Sequence, residues 1–164
     1  MNFYIFRHGE TFQTKQAVHY GSQIETAEIL PEGIPTIKRL ANYLKDKTSD
    51  EKSDNFSSPY LRCKQTVKIV KKIINKKFEF EEHLSEYRED KETFEKFANR
   101  IKNFLTHLPK SKRTIIICTH GGVIAGLKHF IIRGKFEEEN LYDFPNPGVL
   151  LEIKNKKVKS IDFN

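Results

Sequence analysis

The chain has 164 residues and a formal net charge of +7, from 29 Lys and Arg against 22 Asp and Glu. Its 37% hydrophobic content is leaner than an average globular domain but too high for a disordered one, and a chain of this length buries roughly 70% of its unfolded surface without help from disulfides or metal. The longest apolar runs, 115–118 and 121–127, fall far short of a membrane span, and Cys63 and Cys118 are too few for a disulfide framework or a four-ligand zinc site.

In chain order, Met1 to Arg7 is strand-like and ends at Arg7-His8-Gly9. Residues 10–30 show little periodicity, and Gly21-Ser22 suggests a loop. Pro31 suits a first helical turn. After it, Ile34, Ile37, Leu40, Ala41 and Leu44 recur at three-to-four spacing and predict a helix over 31–47. Thr48 to Ser53 reads as a turn. Asn55 to Ser58 reads as a short strand stopping before Pro59, and a helix follows to about Asn75 with Leu61, Val67, Val70 and Ile74 facing inward. Phe78 to Phe80 is a short strand and Leu84 to Asp90 an acidic loop. Residues 91–108 give the clearest helical pattern, with Phe94, Phe97, Ala98, Ile101, Phe104, Leu105 and Leu108 on one face.

Thr114 to Cys118 is a continuous apolar run rather than an alternating one, as in a parallel strand buried on both faces. A helix is expected from Val123 to Arg133, stopped by Gly134. Residues 136–146 form a loop rich in aromatics and prolines, and 149–153 with 158–163 make a hairpin around Asn155-Lys156. Strands alternating with helices predict an α/β fold. The expected architecture is a three-layer αβα sandwich, with a mostly parallel central sheet and a C-terminal hairpin. No linker or repeat divides it, so residues 1–164 are read as one domain.

Three segments follow predicted strands, where open α/β sheets place their sites: Arg7-His8-Gly9-Glu10-Thr11, Ser57-Ser58-Pro59-Tyr60-Leu61-Arg62, and Thr119-His120-Gly121-Gly122. Taken alone, each has an ordinary explanation: a structural histidine, a helix cap, a glycine turn. Together they bring two arginines and two histidines to one sheet edge. Such a cluster is costly without an anion, and phosphate suits it because guanidinium pairs with its oxygens bidentately.

The same segments resemble the histidine phosphatase superfamily, the phosphoglycerate mutase-like proteins. Arg7 to Thr11 matches the family's opening Arg-His-Gly-Glu-Thr. The run from Ser57 to Arg62, with Gln65-Thr66, matches its Ser-Pro-Leu-x-Arg-x-x-Gln-Thr segment. Leu30-Pro31-Glu32-Gly33 resembles the Leu-Thr-x-x-Gly that opens the first helix, and Thr119 to Gly122 resembles the second histidine motif. The resemblance implies that His8 attacks phosphorus to form a phosphohistidine. Arg7, Arg62, His120 and Gly121 would hold the phosphoryl oxygens, with His120 also catalytic. Leu84-Ser85-Glu86 fits the slot where the family often carries its general acid, with Glu81, Glu82 and Glu89 close by as alternatives. Thr11, Thr14, Gly21 and Gly122 are candidate substrate contacts. No metal or cofactor is implied.

Departures matter too. Thr14 stands near the place of a family Asn, and Tyr87-Arg88-Glu89-Asp90 replaces a Gly-x-Trp-Glu-Gly-like stretch. The loop after the acid is short, leaving a minimal lid. That favours hydrolysis of phosphate monoesters over phosphoglycerate mutase-type transfer. A protein phosphohistidine phosphatase is an alternative, and a non-catalytic module binding phosphate or nucleic acid a remote one. The scattered lysines read as a solvated background. The expected partner is a small phosphorylated metabolite, or else a phosphorylated protein, with no nucleic acid and no membrane. The absence of a signal-like N-terminal segment suggests a cytoplasmic location. Cys63 and Cys118 are read as buried hydrophobes, and His19, His83, His107 and His129 as surface or structural residues. Tyr142, Phe144 and Asn146 are read as anchors of their loop rather than pocket residues.

Overall fold

The computed structural model describes residues 1–109 and 113–164. Six strands form one sheet: β1 (Asn2–Arg7), β2 (Ser53–Ser57), β3 (Glu79–Phe80), β4 (Thr114–Thr119), β5 (Val149–Lys154) and β6 (Lys157–Asp162), in the order β3-β2-β4-β1-β5-β6. β4 is central and pairs in parallel with β1 on one side and β2 on the other. β3 adds in parallel to β2, while β5 runs antiparallel to β1 and carries β6 as a hairpin.

Five helices cover the sheet: α1 (Phe12–Gln16), α2 (Ile34–Thr48), α3 (Leu61–Ile74), α4 (Phe94–His107) and α5 (Gly121–Arg133). Alternation along the strands feeds two cores. Phe3, Ile5, Ile115 and Ile117 pack with Phe97 and Ile101 of α4 and Ile124 and Leu127 of α5. Tyr4, Phe6, Ile116 and Cys118 pack with Leu40 and Leu44 of α2 and Val67 and Val70 of α3. Every residue of β4 is therefore buried, which is why its sequence shows no alternation. The three-layer arrangement and the mostly parallel sheet match the expectation from sequence.

Several boundaries differ. Residues 12–16, expected as loop, form α1, held by a capping box in which Thr11 and Thr14 bond each other's backbone N–H. Pro31 opens a 3-10 turn (Pro31–Gly33), and the α-helix begins at Ile34. β2 starts at Ser53, inside the expected turn. α4 starts at Phe94 rather than 91, because Thr93 caps it through Lys96 N. α5 takes Gly121 and Gly122 into its first turn, with His120 at the N-cap. Asn155 and Lys156 make the expected tight turn with φ of 50° and 62°, the geometry that suits the strand twist.

Candidate active site

The parallel ladders continue past the strand ends and set the site. His8 N donates to Thr119 O at 3.0 Å, and Ser58 N donates to Cys118 O at 3.1 Å. The residues following β1, β2 and β4 are thereby held side by side. The backbone at Gly9 packs closely: a Cβ there would lie 2.6 Å from the tip of Ile37, and the Gly9 N–H donates to Thr66 Oγ1 at 2.8 Å.

His8 is fully buried. Its Nδ1 lies 2.8 Å from Gly9 O; a carbonyl accepts only, so Nδ1 carries the proton and Nε2 keeps a free lone pair. The Tyr20 hydroxyl sits 3.5 Å from that Nε2 and 2.9 Å from Thr11 Oγ1. Burial, reinforced by the Arg62 and Arg7 charges, holds the His8 pKa well below the usual histidine range. Burial thus favours the neutral imidazole.

Arg62 is also fully buried. It donates to Ile24 O, to His120 Nδ1 at 3.0 Å and to Glu86 Oε2 at 3.5 Å. Its guanidinium carbon lies 4.1 Å from the centre of the Tyr20 ring. Because His120 Nδ1 accepts from Arg62, its Nε2 carries the proton and donates to Ser58 Oγ at 2.7 Å. Burial and the Arg62 charge keep His120 neutral as well. The two histidine rings are 5.4 Å apart between centroids.

The Nε atoms of Arg7 and Arg62 are buried with no hydrogen-bond partner among the described residues. A buried orphan donor costs about 1–3 kcal/mol, and more for a charged group, a cost that an acceptor placed between the two cations could relieve. Arg7 lies against the Phe144 ring, 5.1 Å from its centre. The same ring would meet a Cβ on Gly121 at 2.6 Å, so only glycine leaves room at the start of α5.

Glu86 enters from the loop after β3. Thr119 Oγ1 donates to Leu84 O at 2.6 Å, tying that loop to the end of β4. Arg100 of α4 donates to His83 O at 2.6 Å and to Glu86 O at 3.3 Å, and is itself gripped by Glu92 at 2.6 Å. The Glu86 side chain is 16% exposed, and its Oε2 is 3.5 Å from His120 Nδ1. Burial raises its pKa against the opposing pull of Arg62 and Arg7, leaving it able to hold a proton that an ordinary carboxylate would lose. Of the alternatives, Glu81 accepts from the exposed His83 and has its pKa lowered through that contact despite some burial; Glu82 and Glu89 are exposed.

The structure thus brings Arg7, His8, Arg62, Glu86, His120 and Gly121 together. Gly21 and Gly122 line the adjoining cleft. Thr11 and Thr14 are spent on the α1 capping box, with Thr11 also reaching Tyr20. Tyr20, which touches His8, sits in a loop with no signal in the sequence, whereas Ser58, which touches His120, lies within the Ser57 to Arg62 segment but is not among the expected site residues. Tyr142 and Phe144 line the cleft instead of merely anchoring their loop, because the chain after Leu141 turns back over α5. His19 also borders the cleft, whereas the buried His129 is bonded to Asp143 at 2.7 Å. Cys63 and Cys118 are fully buried, as expected. Among the described residues no helix is long and apolar enough to cross a membrane, and no group of three or more His, Cys, Asp or Glu is placed to hold a metal.

A buried neutral imidazole and two guanidinium groups thus meet at the C-terminal edge of a parallel sheet, where open α/β folds place their sites. The chain belongs to the histidine phosphatase superfamily (branch 1), which it matches over residues 3–91. Its fold is similar to that of the α-ribazole phosphatase from Shigella flexneri, with a TM-score of 0.76 at 19% identity over 99% of this chain and 95% of that one. A phosphoglycerate mutase from Bacillus anthracis gives 0.74 at 16% identity, over 99% and 93%. The protein histidine phosphatase SixA, solved with tungstate, gives 0.68 at 16% identity, over 98% and 94%. At these identities the likeness is one of fold. No curated protein sequence matches the chain.

Proposed function

We propose that the protein is a phosphatase that hydrolyses phosphate monoesters through a phosphohistidine on His8, with residues 1–164 acting as one catalytic unit. The observation that carries this reading is the tautomer of His8: the Nδ1 contact to Gly9 O leaves Nε2 unprotonated beside two cations.

In the first step the Nε2 lone pair attacks phosphorus and the P–O ester bond breaks. The bond's electron pair goes to the leaving alkoxide, which takes the Glu86 proton. Arg7, Arg62 and the N-terminus of α5 at Gly121 hold the phosphoryl oxygens and stabilise charge in the transition state, while His120, its Nε2 proton given to Ser58, accepts from Arg62 and fixes that guanidinium beside them. In the second step Glu86 takes a proton from water, the resulting oxygen nucleophile attacks phosphorus, and the P–N bond breaks, returning its electron pair to Nε2.

Glu86 favours an ester over a phosphohistidine protein, since a phosphoramidate nitrogen leaves without so strong a need for an acid. A short 87–93 connection from the acid to α4 leaves the site open to water, which favours hydrolysis over mutase transfer. The test is hydrolysis of a panel of phosphate esters and of a phosphohistidine protein by the wild type and His8→Ala. His8→Ala should lose on the order of a thousandfold or more in kcat, together with the acid-labile phosphoenzyme seen on quenching. Undiminished turnover by that variant would overturn the reading.

A further inference from the structure

Beyond the phosphate site lies a cleft of about 680 Å³, opening from Arg7 and Glu86. That volume is enough for a ring-bearing leaving group. Its walls are largely aromatic and aliphatic, including Tyr20, Tyr87, Leu141, Tyr142 and Phe144. Tyr87 is fixed by stacking on Phe97 at 4.5 Å between centroids. Phe144 begins the wall at the Arg7 guanidinium, and Tyr142 stands beside it at 6.4 Å, 75% exposed. An exposed tyrosine next to a rigid aromatic wall offers a face for stacking at low entropic cost.

The charges around this cleft are as informative as its rings. Its arginines are Arg7, which serves the phosphate, and Arg88. Arg88 is already neutralised: it pairs with Glu25 at 3.2 Å and with Asp90 at 3.0 Å. Glu89 adds a further negative charge to the same wall. A second anionic group on the substrate would meet carboxylates and no unpaired arginine or lysine.

We propose that the cleft selects phosphate monoesters whose alcohol carries a flat aromatic or heteroaromatic ring and no second anionic group. The proposal rests on the phosphatase reading, and it names the substrate class of that site. It disfavours phosphorylated carboxylic acids and bisphosphates, both of which need a second cationic subsite.

The test compares three primary alkyl phosphates, so that leaving-group reactivity stays similar: 2-(1-naphthyl)ethyl phosphate, ethyl phosphate, and the naphthylethyl ester carrying a ring carboxylate. In the wild type the naphthylethyl ester should exceed ethyl phosphate at least tenfold in kcat/KM, within the range an apolar pocket supplies. The carboxylated ester should fall back at least fivefold. Tyr142→Ala should lower the naphthylethyl-to-ethyl ratio at least fivefold, and Tyr142→Phe should keep it. Parity between the first two esters, or a ratio indifferent to Tyr142→Ala, overturns the proposal. Calorimetric binding of the matching phosphonates is measured alongside. If no ester is hydrolysed the phosphatase reading fails by itself, while the phosphonate affinities still decide the selectivity: a tenfold preference for the naphthylethyl compound supports it, and equal affinities overturn it.

Discussion

His8 and Glu86 sit in one buried neighbourhood yet are pushed toward opposite uses. Desolvation penalises whichever form is charged, so it strips the proton from the imidazole and keeps one on the carboxyl. The flanking arginines reinforce the first effect and only partly offset the second. In the proposed reaction His8 attacks as a neutral nucleophile and Glu86 gives up a proton, and this sets the expected pH profile. Activity rises as His8 loses its proton, at a pH well below 6.5, and falls as Glu86 loses its own, above its ordinary 4.5. The kcat/KM profile should therefore be bell-shaped. Glu86→Gln should lower kcat by about 10²–10⁴-fold and abolish the alkaline limb while leaving the acid limb in place; a limb that survives in that variant assigns the acid to another residue.

At the scale of elements, helix α4 holds the loop that carries Glu86. Arg100 does not touch the anion site, yet it holds the carbonyls of His83 and Glu86 and is locked by Glu92. It is a positioning residue. Its charge also contributes to holding down the Glu86 pKa. Arg100→Gln should lower kcat roughly tenfold, as expected when a catalytic group loses its alignment, and should move the alkaline limb to higher pH. Arg100→Lys, which keeps the charge but not the fork, should lower kcat without moving the limb. A purely structural arginine would shift neither limb.

Most elements could be read from sequence, and most plainly those with a period or a continuous apolar run: α2, α3, α4 and β4 each bury a face large enough to leave a pattern. Helix α1 left none. It is five residues long, it exists because Thr11 and Thr14 cap it, and capping is a matter of hydroxyl geometry rather than hydrophobic spacing. The aromatic cleft was hidden for a related reason. Tyr142 and Phe144 reach the site only because the chain after α5 folds back across Gly121, a contact with no local signature. Arg7, His8, Arg62 and His120, by contrast, follow strand ends or begin helices, where motif and topology coincide.

For the molecule as a whole, the site is a liability to stability in acid. Two buried histidines whose folded pKa values lie below the unfolded value of about 6.5 bind fewer protons than the unfolded chain does. Stability should hold above about pH 6.5 and fall as the pH drops below it, with each histidine contributing a slope of up to about 1.4 kcal/mol per pH unit. Glu86, raised in the folded state, works in the opposite sense between its ordinary 4.5 and its folded value and offsets part of the decline there. Thermal melts from pH 8 to 5 should show the decline, and His120→Asn should flatten it; a wild-type melting curve independent of pH in this window would contradict the assignment of two neutral buried imidazoles.

The central place of β4 also dictates an order of assembly. Its neighbours β1 and β2 belong to the first 57 residues, while β4 itself begins at Thr114. A chain emerging from the ribosome therefore presents two parallel strands with a gap between them, and nothing to fill it until twice that length has been made. Loop closure over such separations is slow and leaves strand edges open. Closing the parallel part of the sheet and bringing His120 to Arg62 and His8 are the same event, because His120 directly follows the strand that fills the gap. The appearance of anion binding during synthesis would thus time the insertion of the last parallel strand, and partly made chains would depend on chaperones for as long as that slot stays empty.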